Sequence, residues 1–140
     1  MNEDHYALAQ LYKELEDNVT FTKALDFSVR IVNLYKYLRD EKNETVMSKQ
    51  VLRSGTSIGA NISEALAAES KEDFIHKFHI SFKEGNETKY WLLLLHRTGY
   101  LTDNEFNSLI EDCQELRKLM GAIIRTSKKE PTQPYIILIF

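Results

Sequence analysis

The position of its prolines restricts this chain more than any other feature. Both, Pro131 and Pro134, stand in the last ten residues, so the first 130 run without a strong helix breaker. Along that length apolar residues recur at three- and four-residue steps, the period of amphipathic helices. Four such patterns follow one another, which predicts an all-α fold, an antiparallel up-down four-helix bundle over residues 21–129. At 140 residues the chain is expected to form one domain, burying roughly two-thirds of its unfolded surface without a staple.

The first pattern, Phe21 to Asp40, places Ala24, Phe27, Ile31, Leu34 and Leu38 on one face, with Thr20 or Thr22 as N-cap. A polar connection, 40–45, follows. The second, Val46 to Ala68, turns Val51, Gly55, Ile58, Ile62 and Ala65 inward. Its many small residues predict close approach of a neighbour, because each glycine inside a helix costs about 1 kcal/mol relative to alanine. Gly55-x-x-x-Gly59 is read in that way and not as a phosphate loop, which would need a strand before it and a lysine. The third, Lys71 to Arg97, has Ser70 as N-cap and a seam of Phe74, Phe78, Ser81, Gly85, Thr88, Leu92 and Leu95. Phe82, Tyr90, Trp91, Leu93 and Leu94 lie off that seam, so the helix is apolar on a second face, which another subunit would cover. Gly99 marks its stop. Thr102 with Glu105 forms a capping box, and Leu101 with Phe106 a hydrophobic staple. The fourth pattern runs to about Thr126, with Phe106, Leu109, Cys113, Leu116, Met120 and Ile123 inward.

Two flanks remain. Residues 1–20 form an acidic arm, five carboxylates (Glu3, Asp4, Glu14, Glu16, Asp17) against Lys13. The whole chain carries −3, so the rest sums to +1. Leu8, Leu11, Tyr12 and Leu15 suit a short amphipathic helix within the arm. Residues 130–140 form a Pro-hinged apolar tail, expected to pack on the bundle or a neighbour, with a membrane or partner hook as the sharper reading. The tail is too short to span a bilayer, and no run of about 18 apolar residues occurs elsewhere. With no signal-like N-terminus and one cysteine, the expected compartment is cytoplasmic.

The run Arg53 to Ala65, Arg-Ser-Gly-Thr-Ser-Ile-Gly-Ala-Asn-Ile-Ser-Glu-Ala, carries a resemblance. So do Ser48–Leu52, Asp73-Phe74 with Lys77, Lys83–Leu92, Tyr100-Leu101 and Thr126–Lys129. Together they resemble the bacterial four-helix-bundle family related to proteins encoded in intervening sequences of large-subunit ribosomal RNA genes (S23-like), once mislabelled as a ribosomal protein. The resemblance covers about Phe21 to Lys129. It implies assembly into a homopentameric ring. The chain is also similar to the accessory protein of diversity-generating retroelements, which partners a reverse transcriptase and binds nucleic acid. For most members of that family no activity is established, so the resemblance implies fold and assembly far more than function.

Several constellations bear on function. Arg53, Ser57, Asn61 and Glu64 share one face of the second helix, and Glu84, Glu87 and Tyr90 one face of the third. They are read as a polar network between helices or subunits that fixes register. Neither stretch contains a histidine, and a nucleophile needs a base and an orienting group, so no catalytic residue is assigned. His76 and His79, with Glu72 and Asp73, could hold a metal. A di-iron bundle needs two Glu-x-x-His arms, and here only Asp73-x-x-His76 stands, so surface histidines are the simpler reading and no cofactor is expected. Cys113, on the seam, reads as a core thiol. Trp91 with Tyr90 reads as core or subunit packing before base stacking. Lys42, Lys49, Arg97, Arg125, Lys128 and Lys129 are candidate nucleic-acid contacts, against which stands the near-neutral charge of the bundle.

The expectation is a non-enzymatic oligomeric scaffold, a homo-oligomer that binds nucleic acid or a nucleic-acid-processing partner. A purely structural or protein-interaction module is the alternative, and a metal-binding bundle through His76 and His79 the second. No membrane contact and no small-molecule substrate is evident in the sequence.

Overall fold

In the computed structural model, which describes residues 18–129, Asn18 opens the first helix, α1 (Val19–Asp40). Its side chain accepts the Phe21 N–H at 2.9 Å. This moves the cap from the predicted Thr20 or Thr22 and the start from Phe21. Asparagine caps at least as well as threonine, and Thr20 is instead turned into the core. The predicted face, Ala24, Phe27, Ile31, Leu34 and Leu38, is buried. After α1 the chain reverses through Asn43, whose φ of +53° is a left-handed conformation that asparagine tolerates. The Glu44 N–H then returns to the Leu38 carbonyl at 2.9 Å.

Glu44, predicted only as part of a polar connection, anchors the next helix, α2 (Met47–Leu66). Its buried carboxylate accepts the N–H groups of Val46, Met47 and Ser48 at 3.0, 2.8 and 2.7 Å. Burial pushes this carboxyl up, but the backbone donors outweigh it and hold it below its ordinary pKa. The helix is shorter than the predicted Val46–Ala68. Its last turn tightens, with Ala67 and Ala68 bonding three residues back.

The third helix, α3 (Lys71–Arg97), opens on Ser70, whose hydroxyl accepts the Asp73 N–H at 3.1 Å. All seven predicted seam residues are buried. Gly99 ends the helix at φ +85°, and the Tyr100 N–H closes back on the Leu95 carbonyl. An added Cβ at Gly99 would meet nothing within 4 Å, so backbone conformation alone demands glycine here. The capping box then forms as read: Thr102 N–H to Glu105 at 2.8 Å, Glu105 N–H to the Thr102 hydroxyl at 3.2 Å. It opens the fourth helix, α4 (Asp103–Lys129), which continues past the predicted Thr126. Phe106, predicted inward, is only half-buried.

Helix α2 packs closely on both neighbours. A Cβ at Gly55 would stand 2.8 Å from two carbons of Ile31, so α1 passes where only glycine leaves room. Towards α3, the Thr88 and Ser54 hydroxyls meet at 3.0 Å and the Ser81 hydroxyl donates to the Ile58 carbonyl at 2.8 Å. The buried hydroxyls of Ser54, Ser81 and Thr88 between these two helices thus each have a partner. Between α3 and α4, Ser81 reaches the Met120 sulfur and the Cys113 thiol the Gly85 carbonyl. The α1–α4 edge is the most open, bridged by Lys23–Glu115 and Arg30–Asp112. Among the described residues all regular structure is helical, and no helix is long and apolar enough to cross a membrane. The predicted arm helix and the apolar tail lie outside the described residues.

Candidate functional site

The polar residues expected between α2 and α3 come together only in part. Arg53 reaches Glu84 at 3.3 Å and also bonds Glu87. The Trp91 indole N–H points at the same Glu87 carboxylate at 3.4 Å. The second Glu84 oxygen is shielded from solvent with no hydrogen-bond partner among the described residues. Because Arg53 is half exposed, the ion pairs contribute about 1 kcal/mol at most. Ser57 and Asn61 share that helix face but donate to carbonyls of their own helix, those of Arg53 and Ser57, at 2.6 and 2.8 Å. Back-bonding of this kind competes with any partner across the seam. Glu64 meets Lys77 at 2.8 Å. Tyr90 stands outside the network, 56 % exposed, edge-on to Trp91 at 5.1 Å.

The cations expected to contact nucleic acid do not form one patch. Lys42 lies over the Tyr37 ring at 5.7 Å and close enough to Glu105 to lower that carboxyl, after the Thr102 N–H bond that dominates. Lys128 lies instead near His79, at the end of α4. Lys49 is in the first turn of α2 and Arg97 in the last of α3, while Arg125 and Lys129 share the end of Lys128.

His76 is exposed and His79 half-buried. Burial pushes His79 below its ordinary pKa, and Lys128, Lys83 and His76 push it further. A positive neighbourhood repels a metal cation. Among the described residues no group of three or more histidine, cysteine, aspartate or glutamate side chains is placed to hold one. Cys113 is fully buried, its thiol pushed up to about 11 by burial, so it stays protonated and inert.

Between α1 and α4 lies a cleft of about 470 Å³ that the sequence did not reveal. Leu34, Leu101 and Leu109 floor it, and Asn33 and Asn104 stand at its rim. Arg30 crosses its wall, donating to the Ser108 carbonyl at 3.1 Å, the Ser108 hydroxyl at 2.7 Å and Asp112 at 2.5 Å. Ser108 has a nucleophile's hydroxyl, but this guanidinium neighbour cannot take its proton. The cleft arises from pairing residues 30–37 with 101–109, and no local spacing announces such a pairing.

The family model that matches is that of the 23S rRNA-intervening sequence protein, over residues 16–122. A crystal structure of a protein with unknown function from the S23 ribosomal protein family, from Bacteroides thetaiotaomicron, is similar at 57 % identity and a TM-score of 0.76. The similarity covers 76 % of this chain and 99 % of that one. No curated protein matches.

Proposed function

Because this chain belongs to the 23S rRNA-intervening sequence protein family, we propose that it is a non-enzymatic cytoplasmic scaffold, a homopentameric ring that holds nucleic acid or an enzyme acting on nucleic acid. Each protomer is an antiparallel up-down bundle. Residue pairs support that arrangement, since numbers rise on one helix as they fall on its neighbour: Ala24 and Ile31 against Gly59 and Gly55, Lys77 and Thr88 against Glu64 and Ser54, Ser81 and His96 against Met120 and Asp103. The observation that carries the scaffold reading is apolar surface left uncovered on more than one helix. Tyr90 and Leu93 are exposed on α3, Leu25 and Val29 on α1. Two unlike patches suit a head-to-tail contact that closes into a ring, where a two-fold dimer would pair one patch with itself.

Native mass spectrometry tests the assembly. A mass near five 16.3 kDa chains is expected, and a monomer overturns the scaffold. Gel-shift binding to structured RNA and DNA tests the ligand half; no shift at micromolar protein overturns it. The α1–α4 cleft favours the second reading, a protein-interaction module, since its apolar floor and amide rim suit a peptide segment. That reading requires the gel shift to be negative.

A further inference from the structure

Among the described residues the cations fall into two kinds, those in salt bridges and the larger number, Lys36, Lys49 and Arg97 with them, that join none. Lys23, Arg30, Arg39, Arg53 and Lys77 each pair with a carboxylate. Arg117, Lys118 and Arg125 join no salt bridge among the described residues, and they stand together. They line a groove of about 240 Å³ between α3 and α4, with Phe82 and Gly121. The sequence explains the imbalance. Asp112 and Glu115 face α1, where they hold Arg30 and Lys23, and from Leu116 to Lys129 α4 has no carboxylate at all. Lys83 and Lys128 are near enough to His79 to depress its protonation, so the positive field extends along the same face.

We propose that this α3–α4 groove binds the phosphodiester backbone of a nucleic acid, with Arg117, Lys118 and Arg125 contacting phosphates. The inference rests on the nucleic-acid half of the function proposed above and gives it a place. Arg117 is held ready: its Nε donates to Asn86 at 2.7 Å, it also bonds Gln114, and its guanidinium covers the Phe82 ring at 5.5 Å. With that ring face occupied, no base stacks on it, so the groove reads charge and not sequence. Gly121 keeps the floor open; a Cβ there would meet the Arg125 guanidinium at 3.3 Å. Lys118 and Arg125 are two helical turns apart, about 10 Å, the rise of about three phosphates along one strand of a duplex. An acidic protein or a lipid surface fits less well. Both want an apolar anchor beside the charge, and none of the large exposed apolar residues lines this groove.

The test is fluorescence anisotropy of the full chain with labelled RNA and duplex DNA of about 20 units, at about 50 and 200 mM salt. Lys118→Gln/Arg125→Gln is compared with Lys36→Gln/Lys71→Gln, which removes the same charge from an exposed and a partly exposed position elsewhere, neither of them a candidate contact. Circular dichroism checks that both variants fold. The groove pair is expected to lose about tenfold in affinity and about 2 in salt slope, the control pair less than about twofold. Equal losses in both variants, with the wild type binding, overturn the groove and leave the nucleic-acid function standing. A wild type that does not bind at low salt overturns both. Competition by polyglutamate as effective as by RNA overturns the phosphodiester assignment.

Discussion

Two of the edges along which these four helices meet are built on different physics. Where α2 meets its neighbours, glycines and short hydroxyls bring backbones close, shape and buried hydrogen bonds fill the seam, and the charged pairs of Arg53 with Glu84 and Glu87 and of Lys77 with Glu64 only border it. Where α1 meets α4, the helices stand apart around a cleft of about 470 Å³, and half-exposed charges bridge them. A close-packed seam cannot relax when an atom is removed, whereas an open one has already given up part of that contact. The first edge should therefore hold most of the stability, and the second is free for partners.

Truncating an apolar residue in each region measures that difference. Ile58 is fully buried in the tight seam; Leu34 floors the cleft and is 6 % exposed. Ile58→Ala is expected to lose roughly 4 kcal/mol and Leu34→Ala roughly 2 kcal/mol, by urea denaturation with unchanged m-value. Equal losses would mean that the cleft closes in solution and the contrast between the edges is false.

A carboxylate on each side sharpens the same point. Glu44 is buried under three backbone N–H groups, and Asp112 is half exposed beside Arg30. Glu44→Gln is expected to cost about 1–3 kcal/mol, since hydrogen bonds to a buried charge are lost and the amide brings its own donors to face N–H groups. The pH dependence follows. The folded-state pKa of Glu44 lies below its ordinary 4.5, so the unfolded chain takes up the proton first as pH falls. Its stabilisation is complete above the ordinary value and is lost as pH falls through the folded one. Wild type should therefore lose more stability than Glu44→Gln between neutral pH and pH of about 3, read from thermal midpoints. Parallel pH profiles would show that the cap holds no charge.

How much of this was legible in the sequence depends on range. The buried faces of α1, α2 and α3 and the capping box at Thr102–Glu105 follow from local period and spacing, because a helix puts residues three and four apart on one side. The caps at Asn18 and Glu44 were missed for local reasons too. Several cap-type residues crowd the start of α1, and Glu44 caps from outside the helix, within a polar run that looks like solvated loop. Ser57, Asn61 and Tyr90 show the limit of face arguments: sharing a face does not choose a partner, and two of them bond their own helix while the third turns to solvent. The cleft and the basic groove depend on which helices become neighbours. Only with α1 beside α4 do Asp112 and Glu115 go to one side and leave Arg117, Lys118 and Arg125 on the other.

The smallest expected effect tests the open edge directly. In the Arg30–Asp112 pair the side chains are 37 % and 42 % exposed, so water screens the attraction and both chains lose rotamer freedom in making it. A double-mutant cycle of Arg30→Ala and Asp112→Ala should return a coupling of about 0.2–1 kcal/mol. Arg30→Ala alone should cost more than that coupling, because Arg30 also holds the Ser108 carbonyl and hydroxyl. At 1 M salt, where charges are screened beyond about 3 Å, the coupling should shrink while the Ser108 contribution persists. A coupling that survives salt, or one as large as the loss at Glu44, would make the charged rungs the anchor of this edge. The cleft would then be a fixed part of the core and no longer a surface left free for a partner.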